Sequence, residues 1–288
     1  MTSPDTPRLS FGALFAEQVR VVALALRREA VLAGAALAVI CGLTVMMGLK
    51  YNEQLDFVPD ITQPTLLVAL LLPFAVWKGD PIFGGAFLWT MPVRRQTATI
   101  AKVLAGGLWL MVAILVTTVL LGLSAATTGG AIGISQTRLV GSSVAGAAQV
   151  AWTTPLWTWL VPFVSALLLY LASSAALLGL RHPIRWLAGV VVATFILMFV
   201  AAGVGQDGAF ERVMEAISDT LIHGRFGLDF ALTAGTVTQV HEVDKPGPGS
   251  YILWSTLPEF GRWAMASLVW FGTVSLVLAL AIRRHWER

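Results

Sequence analysis

Residues 30–49 form an unbroken run of twenty side chains without a single charge. Coiled as a helix at 1.5 Å per residue, such a run is about 30 Å long, the thickness of a bilayer's hydrocarbon core. Five more charge-free runs follow, at residues 61–77, 103–127, 160–180, 186–206 and 263–282. Only 12% of the chain is charged, half the roughly 25% of soluble domains. The fold class expected is therefore an all-α membrane protein of six transmembrane helices, with residues 1–288 as a single transmembrane domain. The second run is short and holds Pro64 and Pro73. The fourth is preceded by Trp152, Pro155, Trp157 and Trp159, an aromatic approach suited to the membrane interface.

The run at 30–49 is itself preceded by a segment of different pattern. At 100° per residue, Phe11, Leu14, Phe15, Val19, Val22, Ala25 and Leu26 share one side of a helix, and Glu17, Arg20, Arg27 and Arg28 share the other. Residues 11–28 are expected as a separate helix in the membrane interface. The same pattern also suits a helix packed on a protein partner.

Lysines and arginines orient the six spans. With the N-terminus inside, 13 of the 19 fall on inner segments, among them Arg20, Arg27, Arg28, Lys78, Arg94, Arg95, Lys102, Arg283 and Arg284. Cationic loops stay on the cytoplasmic side. Both termini and residues 78–102 are expected in the cytoplasm of a multi-pass cell-membrane protein. Segments 50–60, 128–151 and 207–261 are expected outside. Within the last of these, residues 210–222 have a helical apolar face (Phe210, Val213, Met214, Ile217, Leu221), residues 243–250 are turn-rich, and residues 251–257 are apolar enough to dip into the interface.

Several functions lack the residues they need. The single cysteine, Cys41, builds neither a disulfide framework nor a thiolate metal site. Gly-x-x-x-x-Gly-Lys-Ser/Thr is missing from the sequence, as are Gly-x-Ser-x-Gly and His-Glu-x-x-His. Basic residues flank the spans and form no aromatic-interleaved stripe, so no nucleic-acid partner is expected. No span carries an ionisable residue at depth, as an ion-coupled carrier usually does. No cofactor or metal is expected on this chain. His223, His241, Glu242 and Asp244 are a minor metal or catalytic alternative; a solvated loop is the favoured reading of them.

The 78–102 loop sets four cations (Lys78, Arg94, Arg95, Lys102) against Asp80. Its middle, residues 83–91, is uncharged and holds Phe83, Phe87, Leu88 and Trp89. A solvated linker is not built this way. The loop is expected to offer apolar residues to a partner.

Phe87-Leu-Trp-Thr-Met-Pro-Val-Arg-Arg, followed by Lys102, resembles a segment of type-2 ABC exporter permeases. These carry a Leu-Pro-Val-Ser-Arg-like motif after the second span and a basic residue opening the third. The expected layout is similar as well: an N-terminal amphipathic helix, six spans, and a large outer segment before the last. In this chain Arg94 replaces the usual serine, and Asp80 is the nearest acid to the usual glutamate. The resemblance implies that 78–102 is a coupling loop docking on a separate ABC ATPase subunit. Phe83, Phe87, Leu88, Trp89, Pro92, Arg94, Arg95 and Lys102 would be the contact residues. ATP and Mg would sit on that subunit, and a second permease copy or homologue would complete the pathway. Two other roles compete: a multi-pass anchor or assembly factor that shares the loop and lacks an ATPase partner, and a membrane enzyme acting on lipid at the outer face through His223, His241, Glu242 or Asp244.

Overall fold

The computed structural model describes residues 10–58, 63–78, 95–137, 139–140, 150–180, isolated positions from 182 to 217, 218–224, 226–235, 238–242, 251–255 and 259–287. Among the described residues, four helices are long and apolar enough to cross a membrane.

Helix α1, Phe11–Tyr51, is the longest among the described residues, at 41 residues. Ser10 caps it by accepting the Ala13 amide, and Asn52, left-handed at φ 55°, ends it by donating its N–H to the Gly48 carbonyl. The expected interfacial helix and first span are thus one continuous helix. The charged residues 27–29 between them are good helix formers, and no proline or glycine interrupts there. At about 60 Å, α1 is twice as long as a bilayer core is thick. The apolar face expected to lie in the interface packs on protein instead. Val22 and Leu26 are buried with Trp77, Val103 and Ile282, and Phe15 and Val19 pack against them.

Helix α2, Gln63–Val76, has 14 residues and contains Pro73. It is about 21 Å long, less than the hydrocarbon core. Helix α3, Arg95–Thr127, begins eight residues before the expected span. Residues 95–102, expected as loop, are its first two turns. They contain neither glycine nor proline, and they bury Thr99, Ala101 and Lys102. Helix α4, Val161–Gly179, follows a 3-10 turn at Leu156–Leu160 and has proline in its first turn. That position suits a residue with no N–H to donate. After α4, the described positions between 183 and 199 are helical, and Trp186, Phe195 and Phe199 are exposed. A π-helical turn at Ser218–Ile222 and short helix α5, Leu228–Thr233, precede α6, Phe260–Glu287.

Among the described residues, five short strands join the helices, outside the all-helical expectation. Strand β1 (Ile134–Thr137) pairs antiparallel with β3 (Val150–Thr153), setting Ile134 opposite Thr153. Strand β5 (Tyr251–Ser255) is central in a second antiparallel sheet, between β2 (Leu139–Val140) and β4 (Thr238–Glu242). Of residues 251–257, expected to dip into the interface, 251–255 pair along β4, and Tyr251 and Ile252 also pair with β2.

The bundle has two distinct ends. At the basic end, Val22, Leu26, Val76, Trp77, Val103, Leu178, Ala281 and Ile282 meet in one core. At the strand end, Val161, Ala234 and Trp263 pack together, with the Trp157 ring tilted 32° to that of Trp263 at a centroid distance of 5.2 Å. Helices α1 and α3 run from the basic end to the strand end, and α4 and α6 run back. Because α4 finishes at the basic end and α6 starts at the strand end, the chain passes between ends somewhere in 180–260. Helix α5 packs below the strand end, with Ala231 buried against Leu168, Ala266 and Val274.

Helix α1 packs along α3. Trp109 Nε1 donates to the Val19 carbonyl at 3.1 Å, and farther along Gly48 abuts Thr128.

Candidate functional site

The best-built polar cluster lies at the basic end, where α2 stops and α3 starts. Trp77 closes the last turn of α2, its N–H donating to the Pro73 carbonyl at 3.0 Å. It is only 6% exposed, and its indole N–H has no acceptor among the described residues. Its ring face is used by Lys102 of α3, whose Nζ stands 4.5 Å from the ring centroid. Lys102 is itself only 7% exposed. A cation over an aromatic face gains roughly 0.5–1 kcal/mol in water and about 2 kcal/mol where water is excluded. This contact keeps a cation inside an apolar core, where it is otherwise costly.

The neighbouring Lys78 makes the second link. Its Nζ donates to Glu29 Oε1 of α1 at 2.8 Å. That hydrogen bond holds the Glu29 carboxyl below its ordinary pKa. As a partly solvated pair it contributes little stability of its own, but it fixes the end of α2 to α1. The Trp109–Val19 hydrogen bond fixes α3 to α1 on the other side.

Helix α4 locks the junction from within. Tyr170 is fully buried, and its hydroxyl donates to the Val103 carbonyl at 2.8 Å, one residue beyond Lys102. Gly106 makes room for it: a Cβ there would collide with the Tyr170 hydroxyl. Ser173, one turn further along α4, donates to the Leu70 carbonyl of α2 at 2.8 Å.

Of the contact residues expected from the sequence, Phe83, Phe87, Leu88, Trp89, Pro92 and Arg94 lie outside the described residues. Arg95 opens α3, and Lys102 is the one whose surroundings are seen. Glu29, Trp77 and Tyr170 were not singled out from the sequence. Glu29 had a readable signal, as an acid standing alone among cations where the first charge-free run begins. Trp77 and Tyr170 had none, since their roles depend on what α3 brings to them.

At the strand end, His223 Nδ1 lies 3.7 Å from Asp229 Oδ2, and Thr233 donates to the same carboxylate at 3.3 Å. His241 and Glu242 are in β4, and Asp244 lies outside the described residues. Among the described residues no three His, Cys, Asp or Glu side chains gather as a metal site.

No protein-family model, characterised protein or solved structure matches this chain.

Proposed function

We propose that this chain is the membrane-spanning permease subunit of an ATP-driven exporter. It would be coupled through residues 78–102 to a separate ATPase subunit and paired with a second permease copy or homologue. The carrying observation is the double attachment of the residues flanking 79–94: Lys78 on Glu29 of α1, and Lys102 on Trp77. A loop that passes force from a nucleotide-driven partner to the spans needs flanks that cannot yield separately. Here both flanks are tied to helices of the bundle, and α4 holds α3 at Val103. The energy source sits elsewhere in this reading, in keeping with a sequence that has no phosphate-binding loop.

The six-span layout belongs to the same proposal. The return of the chain from the basic end to the strand end between α4 and α6 supports a fifth crossing within 186–206. The basic end would face the cytoplasm, as the positive-inside rule requires.

The experiment is co-purification of the chain with the candidate ATPase, followed by ATP hydrolysis in liposomes. Wild type should form the complex and stimulate hydrolysis. A chain that purifies alone, with no ATPase activity drawn to it, would contradict the reading and favour an anchor or assembly role.

A further inference from the structure

We infer that the outward face of α1 around Arg20, Leu24, Arg27 and Arg28 is a docking surface for anionic phospholipid. Helix α1 turns its other face, Val22 and Leu26, into the core, which leaves this one outward. Arg20 presents 81% of its side chain, and Leu24 is 72% exposed. Arg27 and Arg28 are exposed as well. These positions are three, four, seven and eight residues apart and so form one stripe. The next position on the stripe, Val31, is 65% exposed, and Leu32 beside it is 61% exposed. They open the charge-free run that suits a bilayer core. Arg27 and Arg28 thus stand one turn above a lipid-facing surface, at the level of headgroup phosphates, and Arg20 stands two turns farther out. Long cationic side chains reach for that level along apolar stems.

Charge selects the lipid. Arg283 and Arg284 are exposed at the same end, as is Lys78. The described acids of this part of α1 are Glu17, 4.0 Å from Arg20, and Glu29, bonded to Lys78. The surplus is positive and matches an anionic leaflet. An acidic protein surface also carries the right charge. Leu24, set between arginines and continuous with Val31, favours a partner that accepts charge and alkyl chain together.

The test uses the purified full-length chain in detergent, titrated with phosphatidylglycerol or with phosphatidylcholine of the same acyl chains. Binding is read by native mass spectrometry and by the shift in thermal unfolding. Wild type should prefer phosphatidylglycerol, and less so as salt rises. Arg20→Gln/Arg27→Gln/Arg28→Gln should lose roughly fivefold of that preference per arginine, with phosphatidylcholine binding and helix content unchanged. Arg27→Lys/Arg28→Lys should retain it. If the triple variant does not fold, Arg28→Gln alone should show its fivefold share. Several results would overturn the inference: no preference in wild type, a folded triple variant with full preference, or displacement of the lipid by soluble glycerol phosphate. So would a triple variant that keeps its lipid preference and loses only a protein partner.

Discussion

Lys102 and Trp77, both more than nine-tenths buried, face each other across 4.5 Å between the end of α2 and the start of α3. Lysine side chains are seldom fully buried unless paired. This pairing ties the start of one helix to the end of another, and it is the feature on which the functional proposal rests.

Removing either residue removes the cation–ring contact between them. Lys102→Met should cost about 1–2 kcal/mol in unfolding measured in detergent. Trp77→Leu should cost more, because it leaves a buried cation without the ring. The double variant should be less damaging than the two single effects added. A double-mutant cycle showing additivity would mean that the pair does not interact.

The Glu29–Lys78 link carries a pH signature. Lys78's hydrogen bond holds Glu29 below its ordinary value of 4.5. The ionised carboxylate is therefore favoured by folding. Its stabilising contribution is fully present above about pH 4.5 and is lost as pH falls through the lower folded value. Glu29→Gln should flatten that part of the stability–pH profile and remove its salt dependence. An unchanged profile in Glu29→Gln would assign the acid sensitivity to other carboxylates.

Gly106 and Tyr170 make a directional prediction. Gly106→Ala places a methyl group against the Tyr170 hydroxyl and should cost on the order of 1–3 kcal/mol. Tyr170→Phe loses the hydrogen bond to Val103, worth about 1 kcal/mol. Adding Tyr170→Phe to Gly106→Ala should recover part of the damage by removing the oxygen that clashes. Thermal unfolding of the four proteins checks this, and a double variant worse than the sum of the singles would contradict it.

The helices were legible where charge-free runs fixed them: 30–49 lies within α1, 103–127 within α3 and 263–282 within α6, while 160–180 overlies α4. Their ends were less legible. Arginine, glutamate and lysine do not stop a helix; a capping geometry does, as at Asn52. So α1 absorbed residues 11–28, and α3 began at Arg95. The strands were hidden for another reason. Strand β2 pairs with β5 across more than a hundred residues, and no local pattern records such a register. At the site, Lys102 was readable as the cation opening a span. Its ring partner, and the α4 tyrosine holding the next carbonyl, come from tertiary packing that the sequence does not display.

The topology has a direct chemical test. In intact cells, after Cys41→Ser, a cysteine at Val240 in β4 should react with an impermeant reagent from outside. One at Arg284 should react only after the membrane is opened. Labelling of position 240 solely from the cytoplasm would reverse the orientation and separate the basic end from any cytoplasmic ATPase.

The most direct measurement compares wild type with Phe87→Ala/Trp89→Ala in liposomes holding the candidate ATPase. Buried aromatics dominate most interfaces, and truncating one typically costs about 2 kcal/mol or more in association. The account predicts loss of the complex and of stimulated ATP hydrolysis, with the bundle still folded. A double variant that binds the ATPase and stimulates hydrolysis as wild type does would show that residues 78–102 are not the coupling element.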